Sequence, residues 1–260
     1  MNNRELIEKI TKKKEFSQLP QKDVEFVFEK FDKRKIGDEE KVRLTRDLLR
    51  KIFSAFTSKK ILSLKDKNPE WILRKHLSTR ERLPFYSNVY KRILKNFKCR
   101  INIFDLGAGV NGFSYEFFKK NGYDVNYVGI EAIGQLVDLM NFYFKKSKFN
   151  ASAVHLSLFE LSKVKKIIQK QKKPRIVFLF KTLDSLEMIE RNYSKRLISE
   201  ILPFVDLIVV SFATKSMIRR ESFKVKRHWL VNFIKDNFEI LDDFEIGGER
   251  YIVFKKKKNL

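Results

Sequence analysis

An α/β fold is predicted for this chain, with an all-helical region ahead of it and a β-hairpin at its end. Three observations carry the prediction. From residue 100 onward, short apolar runs alternate with helical patterns, the sequence order of a parallel sheet covered by helices. One such run, Ile101-Asn102-Ile103-Phe104, leads directly into Asp105-Leu106-Gly107-Ala108-Gly109, a glycine turn from strand to helix. Ahead of residue 98 the apolar residues recur only at helical spacing. The chain is therefore expected to divide into residues 1–98, a basic helical part, and residues 99–260, the α/β part.

In the leading part, Leu6, Ile7 and Ile10 predict a helix over 4–14, and Val24, Phe26, Val27 and Phe31 one over 22–31. Val42, Leu44, Leu48, Leu49, Ile52 and Phe53 predict a third over 39–56. The opposite faces carry Lys12, Lys13, Lys14, Arg34, Lys35, Lys41, Arg43, Arg46, Arg50 and Lys51, a density that suits an RNA-facing surface. A polar link over 57–68 follows. Ser78 with Glu81 three residues later reads as a capping box and predicts a helix start carrying Arg82, Phe85, Tyr86, Val89 and Tyr90. Pro84 either kinks that helix or moves its regular part to about Leu83.

Strands are predicted near 101–104, 125–130, 151–155, 175–180 and 206–211. Residues 238–246 and 250–254, joined around Gly247-Gly248, predict a hairpin. Cys99 is expected as a small apolar residue near the first strand. Gly107, Gly109 and Gly112 satisfy the dinucleotide pattern, and Glu131 ends the second strand at about the 20-residue distance that places a carboxylate at ribose hydroxyls. From this segment alone a nicotinamide or flavin nucleotide stays open. Asp105 ahead of the glycines, and the closing hairpin, favour a Rossmann-like methyltransferase sheet over a dehydrogenase.

Composition narrows the partners. Lys and Arg number 56 against 32 Asp and Glu, a formal charge of +24 over 260 residues, so a polyanion is the expected partner. No run approaches the ~18 apolar residues of a membrane span, and Met1-Asn2-Asn3-Arg4 opens without a signal-peptide core. A soluble, cytoplasmic monomer that does not engage membranes is expected. The single cysteine excludes an internal disulfide, and His76, His155 and His228 lack metal-ligand spacing, so no metal is expected. The run at 255–258 reads as a solvated lysine tail.

Several segments, in order, carry a resemblance across nearly the whole chain: the basic helical start, His76-Leu77-Ser78-Thr79-Arg80-Glu81-Arg82, the glycine turn continued by Val110-Asn111, Val177-Phe178-Leu179-Phe180-Lys181-Thr182-Leu183, and Val210-Ser211-Phe212-Ala213-Thr214-Lys215-Ser216. The chain resembles the aminoglycoside-resistance 16S ribosomal RNA methyltransferases, which methylate a decoding-site guanine at N7, and reads as a divergent housekeeping homologue. The resemblance implies a class I S-adenosylmethionine methyltransferase whose partner is ribosomal RNA or the small ribosomal subunit. It implies that Arg82 pairs with the methionine carboxylate, with Asp105 near the ammonium. Gly107 and Gly109 then admit the cofactor to the backbone, Glu131 holds the ribose, and Ser157, Leu158 and Phe159 flank the adenine.

Chemistry is expected at the end of the fourth strand, where Phe180, Lys181 and Asp184 are the candidate catalytic residues. Asp184 stands where the family continues with proline. Guanine N7 has a free lone pair and needs positioning rather than a base. An exocyclic amine such as cytidine N4 must lose a proton, and Asp184 is either its acceptor or the N-cap of the next helix. The loop after the fifth strand supplies Lys215, Arg219, Arg220, Lys224 and Arg227 as candidate RNA contacts. A non-catalytic RNA-binding assembly factor on the same fold is the remaining alternative, opposed by the intact glycine turn and Glu131.

Overall fold

The computed structural model describes residues 2–54, 61, 66–214 and 227–257. Seven strands form one sheet: β1 Ile101–Leu106, β2 Val125–Glu131, β3 Ala151–His155, β4 Arg175–Phe180, β5 Leu207–Ala213, β6 Phe238–Ile246 and β7 Glu249–Lys256. Their order is β3-β2-β1-β4-β5-β7-β6. The first five are parallel, and β7 runs antiparallel between β5 and β6. Every residue of β1 and β5 is buried, as in central strands covered by helices on both faces. The edge strand β6 is mixed, with a bulge between Ile240 and Asp242 that leaves Leu241 exposed. Gly247 and Gly248 both have positive φ, 62° and 78°, which the two-residue hairpin turn requires.

Between the strands lie α7 Tyr115–Lys120, α8 Gly134–Lys146, α9 Leu161–Gln169, α10 Leu183–Ile189, α11 Tyr193–Ile201 and α12 His228–Asn237. The strand order reverses between β1 and β4, so a crevice opens beyond the carboxyl ends of these strands. Cys99 is exposed ahead of β1 rather than apolar and covered, because the chain is still in the loop from the preceding helix.

The leading region comprises α1 Asn3–Thr11, α2 Gln21–Asp32, α3 Asp38–Leu49, α4 Pro69–Lys75, α5 Leu77–Arg82 and α6 Tyr86–Leu94. The third helix does not run regularly to 56: it ends at Leu49 and widens into a π-helical turn, Arg50–Ser54. The capping-box expectation at Ser78 is also corrected. His76, extended at φ −96° and ψ 121°, both ends α4 and begins α5, so Ser78 lies inside the helix and is buried. Thr79 ties the two helices instead, its hydroxyl donating to Leu73 O at 2.8 Å. Pro84 lacks an N–H, and the chain tightens into a 3-10 turn over Leu83–Phe85 before regular helix resumes at Tyr86.

Buried apolar side chains from Leu6 to Phe254 form one contiguous cluster, so the leading helices and the sheet share a core. Among the described residues no helix is long and apolar enough to cross a membrane.

Candidate active site

A cavity lies at the carboxyl ends of β1, β2 and β4. From β1 comes Asp105, whose Oδ2 accepts hydrogen bonds from Tyr127 Oη and Asn111 Nδ2, each at 2.7 Å. Burial raises its pKa, and these two donors oppose the rise. Gly107 and Gly109 follow with φ of 72° and 54°. A Cβ on Gly107 would fall 2.6 Å from Thr182 Cγ2, and one on Gly109 would fall 3.2 Å from His76 Nε2. Glycine is required there both by conformation and by space.

The turn's amides face the protein. Gly107 N and Ala108 N donate to Ile130 O, and Gly109 N donates to Glu131 Oε2 at 2.7 Å. Three of these amides thus hold the second strand rather than facing the cavity. The turn supplies close backbone approach instead. Glu131 ends β2 at 6% exposure, with Oε1 accepting from Ile133 N at 2.9 Å. Burial pushes its pKa up, and the backbone amides pull it down.

Arg82, on α5, is 2% exposed and reaches the same cavity. It donates from Nε to Tyr251 Oη at 3.2 Å, from Nη1 to Asn111 Oδ1 at 3.0 Å and from Nη2 to Glu249 Oε1 at 2.6 Å. Its guanidinium lies 4.6 Å from the Phe180 ring centroid. Lys181 has φ of 56°, a strained conformation for a residue with a side chain, and its Nζ lies 2.7 Å from Glu81 Oε2 and 3.2 Å from Glu249 Oε2. Burial raises the Glu249 pKa, but the Arg82 and Lys181 cations outweigh it and keep this carboxyl below its usual range. His76 is buried beside them and held neutral, its pKa taken down to about 3 by burial and by the same two cations.

Phe180, Lys181, Arg82, Asp105, Gly107, Gly109, Glu131, Leu158 and Phe159 are thus brought together at one cavity. Ser157 stands just behind it, fully buried, its hydroxyl donating to Asp23 and accepting from Phe159 N. Asp184 is not among the residues that line the cavity. It lies in the first turn of α10, whose N-cap is Thr182, and its two carboxylate oxygens are held by Arg227 at 2.6 to 3.0 Å. Arg227 also donates to Ala213 O. Lys215, Arg219, Arg220 and Lys224 lie outside the described residues.

Four contributors escaped sequence reasoning: Asp23, His76, Glu249, and the pair Ile52 and Phe53 on the π-helical turn. Asp23 had a readable signal, because it shares the helical stripe of Val27 and Phe31 and so sets a carboxylate on an apolar face. The other three reach the site through tertiary packing alone.

A parallel sheet closed by an antiparallel strand between its last two positions, with a carboxylate at the end of β2 and a glycine turn after β1, is the class I methyltransferase arrangement. Residues 40–239 match the family described as ribosomal RNA methyltransferase (FmrO), and the chain belongs to that family. A curated relative from Proteus mirabilis, a 16S rRNA (guanine(1405)-N(7))-methyltransferase, is 24% identical over 197 residues, 71% of this chain. The chain spans 64% of the length of that relative. Among solved structures, the 16S rRNA methylase RmtB is similar at a TM-score of 0.76 and 20% identity, with 99% of each chain covered. The 16S rRNA methyltransferase RmtF in complex with S-adenosyl-L-homocysteine has a TM-score of 0.77 at 19% identity, with 99% of this chain and 100% of that one covered. These likenesses establish the fold.

Proposed function

We propose that this protein is an S-adenosylmethionine-dependent methyltransferase acting on a base nitrogen of small-subunit ribosomal RNA, with guanine N7 as its target. The observation that carries the reading is the cavity itself, built from Arg82, Asp105, the glycine turn and Glu131 in a chain of the ribosomal RNA methyltransferase family. Its donor set fits the cofactor. Asp105 offers a carboxylate to an ammonium, and Glu131 offers lone pairs to ribose hydroxyls. Leu158 and Phe159 offer an apolar wall to adenine. Of the five N–H groups of Arg82, three are engaged, and two remain for a ligand carboxylate. The cofactor supplies an electrophilic methyl on a sulfonium.

The protein's part is positioning. Phe180 and the Arg82 guanidinium stacked on it form a wall beside the end of β4, where an extruded base would enter. Lys181 is held by Glu81 and Glu249, and the buried His76 imidazole is a poor base, so the site works by positioning, which suits an acceptor nitrogen that already carries a lone pair. The engagement of Asp184 by Arg227 weighs against a cytidine N4 target, since its carboxylate is committed away from the cavity. Residues 1–98 serve as the basic RNA-binding part and 99–260 as the methyltransferase domain, in a cytoplasmic, monomeric protein.

The test is incubation with labelled S-adenosylmethionine and unmodified small subunits, followed by identification of the labelled nucleoside by mass spectrometry. N7-methylguanosine is the expected product. Labelled cytidine would overturn the target, and an absence of label in any small-subunit RNA would shift the reading to a non-catalytic RNA-binding factor.

A further inference from the structure

Among the described residues lining the cavity, Asp23 is the one acid that the leading helices contribute. It sits near the start of α2 and is 2% exposed. Two ties fix α2 there. Phe26 packs edge-on against Phe159 with ring centroids 5.3 Å apart. Ahead of α2, Gly134 N donates to Gln18 O at 3.2 Å and Gln135 Nε2 donates to Lys14 O at 3.0 Å, joining this segment to the start of α8.

The Ser157 hydroxyl sets the orientation of the carboxylate. It accepts from Phe159 N at 3.1 Å, so its single proton goes to Asp23 Oδ1. Asp23 Oδ2 has no hydrogen-bond partner among the described residues. The carboxylate therefore keeps one oxygen for a ligand, at the part of the cavity walled by Leu158 and Phe159.

Resting on the cofactor reading above, we propose that Asp23 reads the 6-amino group of the bound adenine, with Oδ2 accepting one of its N–H bonds. Among the residues that follow β3, Ser157 is turned to Asp23, Leu158 and Phe159 are apolar, and Glu160 is paired with Lys163 and does not line the cavity. The leading helical region thus takes part in cofactor selection through Asp23. A carboxylate with one oxygen engaged presents an acceptor only. It favours a purine with a donor at position 6 and repels one with an oxygen there.

The experiment measures binding of S-adenosylhomocysteine and S-inosylhomocysteine to the full chain by calorimetry. The wild type is expected to favour the adenosyl compound by about 30-fold, the scale of one hydrogen bond to a charged group. In Asp23→Asn the amide oxygen still accepts from Ser157, which turns the amide NH2 towards position 6. The preference is then expected to fall to about 3-fold or less, or to invert. Asp23→Ser, which removes the carboxylate altogether, repeats the comparison if the amide variant does not fold. A merely structural role for Asp23 would weaken both ligands alike and leave their ratio unchanged, which overturns the proposal. Equal affinity of the wild type for both ligands overturns it as well, while leaving the cofactor reading intact. Absence of binding of either ligand to the wild type overturns both.

Discussion

Two buried groups at one cavity, His76 and Asp23, titrate in opposite senses, and both bear on the acid limb of stability. The His76 pKa is taken from 6.5 down to about 3 by burial, Arg82 and Lys181. Below pH 6.5 the unfolded chain binds a proton that the folded chain refuses. Stability therefore falls as pH drops towards 3, by as much as roughly 5 kcal/mol. The Asp23 pKa is raised from 3.8 to about 6 by burial, with Glu131 and Glu160 adding to the rise and Ser157 and Lys22 opposing it. Here the folded chain binds the proton more tightly. The cost of holding Asp23 ionised is fully present above pH 6 and vanishes towards 3.8, at most roughly 3 kcal/mol. The larger imidazole shift wins, so the wild type should lose stability below pH 6.5. In urea unfolding at a series of pH values, the change in stability from pH 7 to pH 5 should be more favourable in His76→Gln than in the wild type by about 2 kcal/mol. Asp23→Asn should be more stable than wild type at neutral pH, and the gap should close towards pH 4. Stability gained at a loss of ligand discrimination is the expected trade at a binding residue. Arg82→Lys retains the charge but loses the fork that engages Tyr251, Asn111 and Glu249 together. Affinity for S-adenosylhomocysteine, measured by calorimetry, should drop by about 10-fold or more.

At the scale of elements, the glycine turn after β1 is where local sequence and tertiary packing coincide. Gly107→Ala would meet two penalties, a positive φ and a methyl placed against Thr182. Together they should destabilise the protein by about 2 kcal/mol or more. Thr182→Ala removes the two closest atoms, so the double variant should recover the steric part alone, giving a coupling of about 1 kcal/mol in urea unfolding. Additive losses would mean that the strain is purely conformational. The strands were legible in the sequence because burial on both faces makes them continuous apolar runs; β4, for example, is Arg175–Phe180 as expected from 175–180. The glycine turn and Glu131 were legible because their signal is local. Ser78 misled because a capping box records only spacing, whereas the junction at His76 depends on how α4 and α5 abut. The π-helical turn at Arg50–Ser54 leaves no periodicity signal distinct from that of an α-helix. Asp23 and His76, which line the cavity, and Glu249, which holds Arg82 and Lys181 there, come from segments far apart in sequence, and only the shared core brings them together.

At the scale of the whole molecule, the charge of +24 is unevenly available for binding a polyanion. Lys41 is paired with Asp32, Arg43 with Glu40 and Asp47, and Arg50 with Glu15 and Asp47. A cation already neutralised by a neighbouring carboxylate releases fewer counterions from RNA. Lys12, Lys13, Lys14, Arg34, Lys35 and Lys51 are exposed and have no ion-pair partner among the described residues, so these are the members of the basic set best placed to meet a polyanion. Arg227 is likewise committed, to Asp184, whereas Arg219 and Arg220 lie outside the described residues. Salt dependence separates these groups. Each phosphate contact removed should reduce the slope of log affinity against log salt by about 0.7 to 0.9. A Lys12, Lys13 and Lys14 to Gln variant, and an Arg219 and Arg220 to Gln variant, should each weaken small-subunit RNA binding and flatten that slope by about 1.5 or more. Replacing Arg43 should leave the slope nearly unchanged. Affinity for S-adenosylhomocysteine should survive in the Lys12, Lys13 and Lys14 variant and in the Arg43 variant, because none of these side chains lines the cavity. Filter binding across a range of salt concentrations reads the slopes. A slope lost equally on replacing Arg43 would mean that the ion pairs seen here open on RNA, and that the whole helical face engages the polyanion.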